Sequence, residues 1–177
     1  MNSACLTAPG TKTKLTGLVC VGNNLMGDDG IGIVLSEMLR NEPLSKNVSV
    51  FEKGTSSLGV FYTLSELDRA IIIDAVDFNG APGETRCFTL EDVMTDKDCS
   101  GLSLHECDLL VIIDLFNKLN IQQPTIIIYA IQPEVIMPGD GLSKVLTAKL
   151  PEYIKEIIEL SARPSWVLSS ALPSQNC

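Results

Sequence analysis

Along most of the chain, short apolar runs alternate with stretches of helical periodicity. Residues 15–21 form a largely apolar run that stops at Gly22-Asn23-Asn24, the pattern of a buried strand running into a turn. After the loop 22–30, Ile31, Val34, Leu35, Met38 and Leu39 fall at helical spacing, and Asn41 and Pro43 close that helix. A second short strand is expected at 48–51, ended by Gly54, and a second helix at 58–67 with Val60, Phe61, Leu64 and Leu67 on its apolar stripe. Residues 69–74 predict a third strand, whose unbroken isoleucines require burial on both faces, as in a parallel sheet covered by helices.

The second half continues the alternation. Asn79-Gly80 and Pro82-Gly83 signal turns, and 84–89 alternates like a half-exposed strand at a sheet edge. Residues 91–101 are acidic and read as irregular. Ser103 and Glu106 have the spacing of a capping box for a long helix over 104–119. Thr125–Ile131 is the most hydrophobic strand of the chain, closed by Gln132-Pro133-Glu134, and 142–160 supplies a last helical region in which Pro151 predicts a break or kink. The architecture implied is three-layer α/β, with ligands expected outside the carboxyl ends of the strands. That directs attention to the loops after Val21, Ile73 and Ile131.

Size and composition narrow the picture. A chain of 177 residues with 45% apolar and 20% charged residues suits one globular domain, with no sign of disorder or internal repeat. The boundaries expected are a domain over 15–160, an N-terminal extension over 1–14 and a loosely ordered Ser- and Pro-rich tail over 161–177. A net charge of −9 offers no attraction to phosphate backbones or anionic membranes, which makes nucleic acid an unsuitable partner. With no long apolar stretch and no secretory pattern at the N-terminus, the expectation is a soluble cytoplasmic protein without membrane insertion. The six cysteines form no C-x-x-C pair, and those inside apolar patterns behave as small hydrophobes rather than as a disulfide or zinc framework.

Three places carry candidate chemistry. The loop Gly22 to Gly30 joins a strand to a helix as phosphate-binding loops do, but Asp28 and Asp29 already place negative charge there and would repel a phosphate. Helix capping accounts for either aspartate, and one can cap while the other points outward. Asp74 ends a strand directly after three isoleucines, where an ionised carboxylate is costly unless paired, hydrogen-bonded or bound to metal; Asp77 stands nearby as partner or decoy. His105 is the only histidine. In the first turn of its helix the positive end of the helix dipole keeps the ring neutral and available to a metal. Asp29, Asp74 and His105 together would make a two-carboxylate, one-imidazole set with open positions for a divalent ion, among which Ni, Zn, Co, Mn and Fe are not distinguished. A serine triad lacks its G-x-S-x-G elbow, and neither Cys99 nor Cys107 beside His105 has anything to lower its pKa.

The stretch Gly22-Asn23 followed by Met26-Gly27-Asp28-Asp29-Gly30-Ile31-Gly32 resembles the signature of the hydrogenase maturation endopeptidases. Ile73-Asp74-Ala75-Val76-Asp77, Pro82-Gly83-Glu84, Leu104-His105 and Ile131-Gln132-Pro133-Glu134 follow in the family's order, so the resemblance runs from about residue 15 to 160. Lys53-Gly54-Thr55 departs from it, standing where relatives have a paired-glycine turn. The resemblance implies a phosphorylase/hydrolase-like α/β/α fold with a twisted, mostly parallel five-stranded sheet carrying an edge strand or hairpin.

It further implies an endopeptidase that trims the C-terminal extension from the large-subunit precursor of a nickel-iron hydrogenase after nickel insertion. Asp29, Asp74 and His105 are then both the metal-contacting and the catalytic residues. The nickel is supplied by the precursor, no organic cofactor is required, and a monomer suffices. The competing expectations are a non-catalytic metal-sensing or chaperone-like module on the same fold, and a small-molecule α/β hydrolase.

Overall fold

A computed structural model describes residues 14–95 and 104–163, with side chains covered over 14–93 and 109–163. Its five strands are β1 (Thr16–Val21), β2 (Val48–Gly54), β3 (Arg69–Ala75), β4 (Thr85–Thr89) and β5 (Thr125–Ile131). The helices are α1 (Ile31–Leu39), α2 (Ser57–Ser65), α3 (Leu90–Thr95), α4 (Leu104–Lys118) and α5 (Lys144–Ala162), and a short 3-10 turn over Gly27–Gly30 leads into α1. They build one sheet of order β2-β1-β3-β5-β4. β2, β1, β3 and β5 run parallel, and β4 pairs antiparallel with β5 at the edge. The expected mostly parallel sheet with an edge strand is what forms.

The alternation of side chains along each strand divides the core in two. Leu18, Cys20, Ile71, Ile73, Ile127, Tyr129 and Ile131 meet α1 and α5 on one face. Val19, Val21, Ala70, Ile72, Ile126, Ile128 and Ala130 meet α2 and α4 on the other. With both faces covered, the isoleucine runs of β3 and β5 have no polar side to offer, which explains their unbroken apolar pattern.

Two elements differ from expectation. The acidic stretch after β4 begins with helix α3 rather than irregular chain. The backbone N–H and Oγ1 of Thr89 both donate to the Asp92 carboxylate at 2.7 Å, and the Asp92 N–H returns a bond to Thr89 Oγ1 at 3.3 Å. That reciprocal capping is readable as T-x-x-D. The rest of that stretch, and the Ser103 cap, lie outside the described residues. Likewise Pro151 does not break the last helix, since α5 runs on to Ala162. Pro151 and Thr147, the residue whose carbonyl loses its helical donor, are both exposed, so the missing bond falls on the solvent side of the helix. Beyond residue 163, the tail expectation also falls outside the described residues.

Arg69 locks the end of α5 to the sheet. Its guanidinium, 5% exposed, donates to the carbonyls of Leu160 (2.9 Å), Ser161 (3.3 Å) and Arg163 (2.7 Å), a cation at the negative end of the helix. Burial lowers the pKa of this guanidinium. Arg69→Met removes those bonds while keeping an apolar stem, and is expected to cost about 2–3 kcal/mol in urea unfolding. A loss below about 0.5 kcal/mol, the range of an indifferent surface change, contradicts the locking role.

Candidate active site

The sheet order reverses between β1 and β3: from β1 the chain steps outward to β2, then returns across β1 to β3. At such a switch point the loops leave in opposite directions and open a crevice at the carboxyl edge. Two glycines bring the pieces together there. A Cβ on Gly32 would stand 2.0 Å from the Val21 carbonyl oxygen and 2.9 Å from that of Ile73, so α1 starts directly over the ends of β1 and β3. Gly22 adopts φ +130, and a Cβ on it would stand 2.0 Å from the Asp29 carbonyl oxygen. The turn carrying Asp29 therefore folds back onto the end of β1 and touches β3, whose penultimate residue is Asp74.

The two neighbouring aspartates have different surroundings. Asp28 is fully buried, and its carboxylate accepts N–H bonds from Glu134 (2.8 Å), Val135 (3.1 Å) and Ser143 (2.7 Å). It ties the β1 loop to the β5 loop. Asp28 is thus a clamp between loops rather than the cap of α1, whose N-cap residue is Gly30. Asp29, 6% exposed, sits in the 3-10 turn beside it, and Asp74, 3% exposed, is the penultimate residue of β3. Asp77 belongs to the scaffold. Its Oδ1 accepts from the Asn79 N–H and from Gln132 Nε2, and these bonds, the backbone one foremost, lower its pKa. Gln132 in turn accepts from the Phe78 and Gly80 N–H groups, so the expected partner-or-decoy resolves as loop architecture.

Asp74 lines a small, mostly apolar cleft on the α2/α4 side of the sheet. Val21, Ile72 and Ile128 form its floor, Val60 of α2 and Leu109 and Ile112 of α4 its walls, and residues 54–57 its rim. Asp74 is the one ionisable side chain on this lining among the described residues. Strand-end reasoning points to the loops after β1, β3 and β5 and passes over Ser56-Ser57, while Lys53-Gly54-Thr55 stands out only as a departure from the resembled family. β2 lies beside β1, and the Gly22 N–H donates to the Gly54 carbonyl at 3.1 Å, which seats this turn at the same edge.

His105 lies in the first turn of α4, one helical turn before Leu109, which lines the cleft with Asp74. Its side chain is outside the described residues. The structure therefore brings the Asp29 turn and the Asp74 strand end together, and sets the start of α4 on the face that Asp74 serves. Among the residues with described side chains, no group of three metal-ligating side chains converges. Cys20 and Cys87 are not nucleophiles, because burial pushes their thiols up to about 12 and about 11.

Comparison with known proteins gives this edge its context. The hydrogenase 3 maturation protease of Escherichia coli K12 is 31% identical over 121 residues, covering 67% of this chain and 73% of that protein. The hydrogenase expression/formation protein HupD of Bradyrhizobium diazoefficiens is 27% identical over 144 residues, covering 81% of this chain and 73% of that protein. The structure of the hydrogenase maturating endopeptidase HybD from Escherichia coli superposes with a TM-score of 0.71 at 22% identity, over 82% of this chain and 91% of that one. The family model for hydrogenase maturation proteases matches residues 33–160, a range that contains Asp74 and His105, with Asp29 just ahead of it. This chain belongs to the hydrogenase maturation protease family, the peptide hydrolases that act on hydrogenase large-subunit precursors.

Proposed function

We propose that the chain removes the C-terminal extension of a nickel-iron hydrogenase large-subunit precursor once nickel is in place, reading that nickel with Asp29, Asp74 and His105. It acts as a monomer in the cytoplasm. The observation that carries this reading is the delivery of two buried carboxylates, from separate segments of the chain, to the switch point of one sheet. Two hard oxygens and one imidazole suit a divalent transition ion, and three ligands leave positions for the groups that already hold nickel in the precursor. In this reading the ion arrives with the substrate and is the feature recognised.

Chemically, the arrangement orients a metal-bearing surface so that the peptide bond beside it lies at the carboxyl edge. A carboxylate near an attacking water can take its proton and return it to the departing amine. The apolar lining of the cleft next to Asp74 offers a seat for an apolar group of the substrate. No thiol contributes from Cys20 or Cys87, given their raised pKa values. Among the described residues, no helix is long and apolar enough to cross a membrane.

The test is a processing assay on purified precursor with and without nickel. Release of the C-terminal peptide from the nickel-loaded form alone is the expected result. Equal cleavage of both forms contradicts nickel recognition, and binding without peptide release supports a non-catalytic module instead.

A further inference from the structure

We propose that Leu25, Val135, Ile136 and Met137 form the surface on which the large-subunit precursor docks, an inference that rests on the function proposed above. These side chains are 62%, 39%, 42% and 56% exposed, on two loops far apart in sequence. Contiguous exposed apolar surface of this kind marks an interaction site more often than isolated exposed leucines do. The loops are joined along their length. The Gly27 N–H donates to the Gly139 carbonyl at 3.2 Å, the Gly139 N–H to the Leu25 carbonyl at 3.1 Å and the Asp28 N–H to the Val135 carbonyl at 3.1 Å. The buried Asp28 carboxylate adds its own bonds to Glu134, Val135 and Ser143. The apolar residues are thereby held on a rigid support rather than on free loops, and the next residue along that support is Asp29.

Charge specifies the occupant. Residues 22–30, 76–84 and 132–143, the loops after β1, β3 and β5, contain no lysine or arginine, and Glu134 and Asp140 flank the apolar residues, while Asp28 and Asp77 are engaged in loop hydrogen bonds and Glu84 pairs with Arg86 at 3.0 Å. A partner that fits presents an apolar face with a basic rim and a cation at its centre, which is a metal-loaded protein surface and not a nucleic acid or an anionic membrane. The continuity of the patch with the Asp29 turn means that seating the apolar face also sets the distance from the precursor's metal to the candidate ligands. Docking then contributes to substrate affinity, and the chemical step stays with the switch-point residues.

The experiment is the steady-state cleavage of purified nickel-loaded precursor by the full chain and by the triple variant Leu25→Ser/Ile136→Ser/Met137→Ser. The substituted side chains are exposed, and a thermal melt confirms that the variant folds. The expected result is a KM at least tenfold higher with kcat within about threefold of the parent. A KM within twofold overturns the proposal. Hydrogen exchange supplies the second measurement: the amides of 135–137 and 139 gain protection when precursor is added to the Asp29→Asn variant, and unchanged exchange on saturation with precursor overturns it. If light scattering shows the parent as a dimer that the triple variant loses, the occupant is a second copy of this chain and the proposal fails. Were the parent to bind precursor through this patch without cutting it, the proposed function would fail while the docking surface stood. Cleavage by the parent with an unchanged KM in the variant means the reverse: the function stands and the docking surface fails.

Discussion

Asp29→Asn and His105→Ala each lower cleavage of nickel-loaded precursor by at least ~100-fold, on the scale at which disturbing even the outer partners of a metal ligand costs 10–100-fold. Both variants keep the fold. Asp29→Asn preserves size and shape in a turn whose backbone is held independently, by the Asn23 N–H bonding to the Asp29 carbonyl and by Asp28 next door. His105 lies in the first turn of α4, ahead in sequence of the helix's buried positions Leu109, Ile112, Ile113 and Phe116, and alanine is a strong helix former. The decisive comparison is therefore activity against stability. Processing at the parent rate by either variant removes that residue from the proposed site, and a fall in activity matched by loss of the folded state leaves Asp29 a scaffold residue like its neighbour.

Asp28→Ala is expected to behave in the opposite sense. Its carboxylate is the side-chain acceptor for three backbone donors, and truncation leaves those N–H groups facing a void, each at about 1–3 kcal/mol. Neighbouring losses do not add fully, so about 3 kcal/mol or more in urea unfolding is the expected cost, among the larger effects of a single substitution. Amides 134, 135 and 143 should exchange faster even where the protein remains folded. Asp28→Asn cannot rescue the whole network, since an amide offers one oxygen where two are used. A loss below about 1 kcal/mol with unchanged exchange at those amides would contradict the clamp.

The different visibility of these features in the sequence has physical causes. Ile71 to Ile73 and Ile126 to Ile128 declare buried parallel strands because a sheet covered on both faces tolerates no polar alternation. Asp74 is readable for a related reason, as a charge placed directly after such a run. The division of labour between Asp28 and Asp29 is not readable, because the partners of Asp28 lie more than a hundred residues along the chain and adjoin it only once β1 and β5 occupy their places in the sheet. The same holds for Gly54 to Ser57. Nothing local ties that turn to Asp74 until the sheet order sets β2 against β1. Helix α3 is a different case, since its Thr89 and Asp92 signal is local and is outweighed by the acidic composition that follows.

Convergence of Asp29, Asp74 and His105 on one ion underlies the proposed activity, and the single histidine makes it directly measurable. Paramagnetic Ni²⁺ is titrated into isotopically labelled protein while the His105 ring protons and the amides of residues 29 and 74 are followed by NMR. These signals are expected to broaden first and together, with Asp29→Asn shifting the effect to higher nickel. Broadening confined to other acidic positions, with the His105 ring unchanged at saturating metal, would rule out a shared site.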